Sequence, residues 1–212
     1  MIERYTKENL HALCDIVSLR DTALREIIHE KGYPPLWVRP NTFATLVLTI
    51  LEQQVSLASA YAAFKKLEQK VKALTPENLL QLTDDELRAC YLSRQKTGYV
   101  RGLATALLNK HVSLEALDQE PDATVRTMLK QLKGIGDWTV DIYLIHALRR
   151  TDVFPLGDLA LVNALKKVKQ LPAAVPKEVM LHLAEPWRPY RTFATLLLWH
   201  YYLQTRGIKT VL

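Results

Sequence analysis

The sequence predicts an all-α fold of short helices joined by tight turns, and three observations carry that prediction. Apolar residues recur at helical spacing: Leu10, Leu13, Cys14 and Val17 share one face, as do Phe43, Leu46, Val47, Ile50 and Leu51. Helix-start residues stand ahead of many of these runs: Asp21, Asn41, Ser56, Thr75 before Pro76, Ser93, Asp122, and Thr83 with Glu86 three residues on. Each offers a side-chain oxygen to the unpaired N–H groups of a first turn, and Thr83 with Glu86 spells a capping box. No segment alternates convincingly with period two, although a short hairpin strand within 151–154 remains open. Breaks fall at Gly32-Tyr33-Pro34-Pro35, Gly134-Ile135-Gly136, 155–157, 172–176 and 186–189, so about ten helices are expected.

At 212 residues the chain is long enough for one compact domain or two small lobes. Its formal charge of +6 and pI near 9.3 suit a polyanionic partner without requiring one. Cys14 and Cys90 are too few to ligate a zinc or iron–sulfur centre by themselves, and they form no disulfide framework. The start, Met1-Ile2-Glu3-Arg4, has no apolar signal core, and the richest apolar stretch, 43–51, is too short to span a bilayer. The expectation is a cytoplasmic protein with no membrane role, nucleoid-associated in a bacterium or nuclear in a eukaryote. The histidines, His11, His29, His111, His146, His182 and His200, show no ligand spacing and receive no metal or catalytic role.

The most informative stretch runs from Met128 to Thr139: an apolar helix end, Gly134-Ile135-Gly136, then a helix carrying Val140, Tyr143, Leu144 and Ala147. Two glycines permit positive φ and close approach to the backbone, and the next helix start offers free N–H groups to a phosphate. Ile135 is expected to point back and lock the helices together. Taken alone, Gly-x-Gly reads more readily as a plain turn. The wider pattern is more specific: Leu132-x-Gly134-Ile135-Gly136-x-Trp138-Thr139, then Asp152-Val153-Phe154-Pro155-x-x-Asp158. Gln53-Gln54-Val55-Ser56, Leu92-Ser93-Arg94-x-Lys96 and Trp187-Arg188-Pro189-Tyr190-Arg191 follow the same family order. On these segments, spanning about 42–203, the chain resembles the helix-hairpin-helix DNA glycosylase superfamily, and within it the alkylpurine (3-methyladenine) glycosylases of the AlkA/Mag type.

The resemblance implies two helical lobes with the active site in a cleft between them. One lobe would comprise 40–146, with the helix-hairpin-helix at about 128–148; the other would comprise 1–39 and 147–212. Only helices precede the family region, so a short form without the N-terminal sheet domain of larger relatives is expected. The implied partner is double-stranded DNA with damaged bases, bound by a monomer. No cofactor is implied beyond a monovalent cation on the hairpin backbone.

Breaking an N-glycosidic bond builds positive charge on the sugar, which a carboxylate stabilises while it positions or deprotonates water. Asp158 matches the family's catalytic aspartate; read locally it is an ordinary N-cap, and the two roles are compatible. Gly157 stands where relatives often carry a second acid. Asp152 is the competing carboxylate, expected to cap or to pair with Arg149 or Arg150, while Asp137 and Asp141 are expected on an exposed face. Trp138 occupies the position where lyase-active relatives carry a Schiff-base lysine, which implies a monofunctional hydrolase. Trp138 and Trp199 would line the base pocket, where aromatic faces favour a cationic base by roughly 0.5–2 kcal/mol. Leu159 and Ala160 suggest a roomy pocket. Lys133, Gly134, Ile135, Gly136 and Thr139 would form the phosphate grip. The turn with Leu92, Ser93 and Arg94, together with Gln53, would contact the duplex or wedge it open, Tyr91 standing where relatives often have Gly. The alternative for Gln53 is to bond helix ends internally. Two other readings stay open: a glycosylase for another lesion, and a non-catalytic lesion-binding module.

Overall fold

The computed structural model describes residues 4–208. Among them are thirteen α-helices, one 3-10 turn and no β-strand; an isolated bridge joins Arg4 to Arg150. The all-α expectation holds, and the extra helices are short ones. α8 (Leu114–Gln119), six residues behind a Ser113 cap, is too brief to show a period. Asp21, Ser56, Thr75 and Ser93 cap their helices, and Thr83 with Glu86 forms the reciprocal box. Two starts shift by one residue. Thr42 caps α3 in place of Asn41, whose amide is engaged by Leu114 O at 2.8 Å and Tyr143 Oη at 2.6 Å. Asp122 is the first residue of α9 (Asp122–Lys130), with Pro121 at the cap.

The chain divides into two compact units, Arg39–Tyr143 and, of the described remainder, 4–38 with 144–208. The first unit is organised on α3 (Phe43–Glu52), which packs against α4 (Leu57–Lys70) and α7 (Arg94–Leu108). Thr45 to Leu51 are all buried, so α3 is enclosed on every side, as a central helix must be. Arg39 and Glu52 pin its two ends through a forked pair at 2.6 and 2.9 Å. α5 (Pro76–Gln81) and α6 (Asp84–Ala89) cover α7. α10 (Asp137–His146) begins in this unit and ends in the other.

In the second unit α13 (Arg191–Thr205) is central, buried continuously from Thr192 to His200. It packs against α1 (Leu10–Leu19), α2 (Thr22–Lys31) and α11 (Leu159–Val168). Each fully buried leucine, such as Leu196 or Leu197, contributes roughly 1.5–3 kcal/mol. Residues 151–154 form no strand because their backbone groups bond to α13 side chains instead. Val153 N donates to Thr192 Oγ1 at 3.0 Å, and Thr195 Oγ1 donates to Val153 O at 3.3 Å.

Asp21 ties three parts of this unit together. Its carboxylate accepts from Ala23 N at 3.1 Å, Lys169 Nζ at 2.6 Å and the Trp187 indole at 2.9 Å. Asp21→Asn keeps the cap but loses the charge facing Lys169, and is expected to cost about 1.5–3 kcal/mol in denaturant unfolding. An unshifted midpoint would show that the cluster adds nothing beyond the cap.

Among the described residues no helix is long and apolar enough to cross a membrane, and no group of three or more His, Cys, Asp or Glu could hold a metal ion. Both cysteines are free and buried. Burial pushes the Cys14 thiol up to about 12.

Candidate active site

Asp158 is the N-cap of α11 and is half-buried. Its backbone is in the extended region, its N–H donates to Pro155 O at 2.8 Å, and its C=O closes the first helical turn with Val162 N at 3.0 Å. Oδ1 accepts from Leu161 N at 2.8 Å and from the Trp199 indole N–H at 3.0 Å. Two donors on one oxygen fix the plane of the carboxylate. Leu159, the next residue, is 77% exposed, so a large apolar side chain lies open beside the acid.

Trp199 is buried among α13 residues, and its indole stacks on the His146 imidazole at 5.5 Å with planes 15° apart. One indole face and the N–H edge are therefore in use within this unit. Asp152 is a different kind of carboxylate. Arg191 grips Oδ1 at 2.6 Å and Oδ2 at 3.0 Å, and Arg188 adds a contact at 3.0 Å. The expected pairing with Arg149 or Arg150 gives way to these partners on the turn into α13. A carboxylate held on both oxygens by guanidinium groups is a structural anchor.

The hairpin lies in the other unit. Gly134 has φ +90°, and a Cβ there would meet the Tyr99 ring at 2.2–2.4 Å. Glycine is thus required twice over, by conformation and by space. Gly136 differs: its φ is not positive and nothing lies within 4 Å of a Cβ built on it. The backbone at 136 is open to solvent at the start of α10. Ile135 is buried, at 5% exposure, while Lys133 is exposed.

Thr139 is 2% exposed, and its hydroxyl accepts from Gln53 Nε2 at 2.9 Å. Its side chain is committed to the interior, leaving only its backbone for a phosphate. Gln53 Nε2 also donates to Gly134 O at 2.8 Å. Of the two roles open to Gln53, the amide takes the internal one, latching the end of α3 to the hairpin. Lys96 reinforces that latch by donating to Leu51 O at 2.6 Å and Gln53 O at 3.0 Å, and burial lowers its pKa. The carbonyls of Leu132, Gly134 and Gly136 accept from Ile135 N, Gln53 Nε2 and Val140 N. Each carbonyl oxygen keeps a second lone pair for a further contact.

On the turn before α7, Leu92 is 3% exposed and packed into the core, which removes it from duplex contact. Hydrophobic burial wins over projection there because the turn must close against α6. Tyr91, Ser93 and Arg94 are the exposed side chains, and Tyr91 is held at φ +67° with Lys66 Nζ 4.0 Å from its ring centroid. Gln54, exposed at φ +57°, is a second non-glycine in the left-handed region. Such residues are uncommon and mark positions where the surrounding structure dictates the backbone. Nothing local in the sequence announces either one. Trp138 is half-buried in the first turn of α10. Asp137 is exposed and pairs with Lys130, but Asp141 is 6% exposed and paired with Arg126, against expectation. α10 is buried on nearly every face past Thr139, so no solvent side remains for Asp141.

Residues 47–189 match the HhH-GPD superfamily base excision DNA repair protein family. A putative DNA-3-methyladenine glycosylase of Bacillus subtilis, YfjP, is 31% identical over 186 residues, covering 84% of this chain. The chain spans 65% of that relative's length. DNA-3-methyladenine glycosylase 1 of Schizosaccharomyces pombe is 30% identical, covering 76% of this chain and 72% of the relative. The solved 3-methyladenine DNA glycosylase of S. pombe (Mag1), in complex with abasic DNA, superposes with a TM-score of 0.83 at 27% identity. That match covers 89% of this chain and 95% of the other. With its hairpin, its capped aspartate and these relatives, the chain belongs to the HhH-GPD superfamily of base excision DNA repair proteins.

Proposed function

We propose that the chain is a monofunctional DNA N-glycosylase that flips alkylated purines out of duplex DNA and removes them by hydrolysis, leaving an abasic site. The observation that carries this reading is Asp158, an N-cap carboxylate held by a helix N–H and the Trp199 indole. Its charge stabilises the oxocarbenium-like sugar as the base departs and orients the attacking water. The substrates are 3-methyladenine and 7-methylguanine, with ethenoadenine or hypoxanthine as candidates for a permissive pocket. Trp138 supplies an aromatic face for the extruded base and cannot form a Schiff base, so no lyase step follows. Trp199 contributes through its bond to Asp158. The backbone of 133–136 and the α10 start grip a phosphate, and the carbonyls of Leu132, Gly134 and Gly136 would hold a monovalent cation, which would supply positive charge beside it. Duplex contact on the 91–94 turn falls to Tyr91, Ser93 and Arg94.

The test is duplex DNA treated with a methylating agent. Free 3-methyladenine or 7-methylguanine should appear, with strand breaks only after alkaline heating. Breaks made by the protein alone would refute the monofunctional reading, and binding without release would leave a lesion-binding module. Affinity should fall with salt at a slope of about 0.9 per phosphate contacted. A flat salt dependence would count against the hairpin grip.

A further inference from the structure

His146 has no place in the chemistry described so far, yet it sits one side chain from the carboxylate. It is 6% exposed near the end of α10. Its Nδ1 lies 2.7 Å from Trp37 O. A carbonyl only accepts, so Nδ1 carries a proton and the ring is anchored on the backbone of a separate segment. The ring so fixed lies nearly parallel to the Trp199 indole, at 5.5 Å and 15°. The N–H edge of that indole donates to Asp158 Oδ1 at 3.0 Å.

We propose that His146 is a positioning residue: by clamping the indole of Trp199 it aims the N–H that orients Asp158. The inference rests on the glycosylase reading for its kinetic consequence and on geometry alone for its structural one. An indole turns on two side-chain torsions, and a displacement of about 1 Å is enough to cost on the order of 10²-fold in rate at a preorganised site. The helix N–H of Leu161 holds the same oxygen from the backbone side. Trp199 is therefore the adjustable member of the pair, and His146 is what restrains it. Imidazole suits the task because it combines a flat stacking surface with an N–H that can be tied to a carbonyl.

The experiment is a double-mutant cycle on the full chain with His146→Ala, Trp199→Phe and both together. Single-turnover release of 7-methylguanine, duplex affinity and thermal midpoint are measured for each. His146→Ala should slow release by about 10–100-fold with duplex affinity unchanged. In the Trp199→Phe background, where the N–H is gone, it should add less than a factor of about 2. His146→Phe, which keeps the stack without the anchor, should recover part of the rate. A wild-type rate in His146→Ala, or a full additive loss in the Trp199→Phe background, would overturn the proposal. Exchange of the Trp199 indole proton, assigned by its absence in Trp199→Phe, gives a second readout independent of turnover. It should speed up in His146→Ala, and unchanged exchange would overturn the proposal. Failure of the wild type to release any base would instead sink the glycosylase reading, with the exchange measurement still deciding the role of His146.

Discussion

Asp158→Asn is expected to slow base release from methylated duplex by about 10²–10⁴-fold, the usual scale for a lost acid–base group, with duplex affinity and thermal midpoint little changed. The structure makes this substitution unusually clean. Asn caps a helix about as well as Asp, and its amide oxygen can take over the bonds from Leu161 N and Trp199 Nε1. What disappears is the negative charge, together with the capacity to take a proton from water. The effect should therefore fall on the rate of the chemical step. Asp158→Ala removes the cap as well and should add a stability loss of about 1 kcal/mol, which mixes two effects.

Asp152→Asn is the informative control. That carboxylate is held on both oxygens by Arg191 and Arg188, so its loss should lower stability while the chemical step survives. If Asp152→Asn abolished release and Asp158→Asn did not, the assignment of the two carboxylates would be reversed. If both variants released base at the wild-type rate, carboxylate catalysis by either residue would be refuted.

These expectations draw on two sorts of legibility. Features decided within a few residues could be read from the sequence: the caps at Ser56, Thr75 and Ser93, the capping box at Thr83, and Asp158 as the opening of α11. The chemistry proposed for Asp158 rests on its motif, because any N-cap aspartate looks the same locally. Features decided by distant chain segments could not be read. Gln53 finds Gly134 and Thr139 more than eighty positions away. His146 meets Trp37 and Trp199 from elsewhere in the chain, and histidine without ligand spacing gives no sign of that. Asp141 is expected on an exposed face because a charged residue in a short helix ordinarily faces solvent. α10 is instead buried nearly all round, and an ion pair with Arg126 accommodates the charge. Leu92 fell on the wrong side for a related reason: a motif places a turn in the sequence but does not say which of its side chains faces solvent.

The two hairpin glycines looked alike in sequence and should behave differently when replaced. Gly134→Ala places a residue at φ +90°, costing about 1–3 kcal/mol in backbone strain. It also drives a methyl group into the root of the Tyr99 ring, at 2.2 Å from Cγ, so the ring cannot escape by a small tilt. Overpacking of this kind adds about 1–3 kcal/mol. Together, roughly 2–6 kcal/mol should lower the thermal midpoint by several degrees or more at this chain length. Tyr99→Ala in the same background should recover the overpacking share and leave the strain. Gly136→Ala meets nothing within 4 Å and has no positive φ, so its stability should hold or rise by about 0.4–1 kcal/mol. Its cost should appear only with DNA. A methyl group at the mouth of α10 holds a phosphate off the backbone N–H groups, and affinity should fall by about tenfold for every sequence alike, since the contact reads no base. Full affinity in Gly136→Ala would show that no phosphate approaches there, and the grip would have to lie on another part of the surface. Wild-type stability in Gly134→Ala would show that the left-handed turn against Tyr99 is not the conformation the hairpin holds.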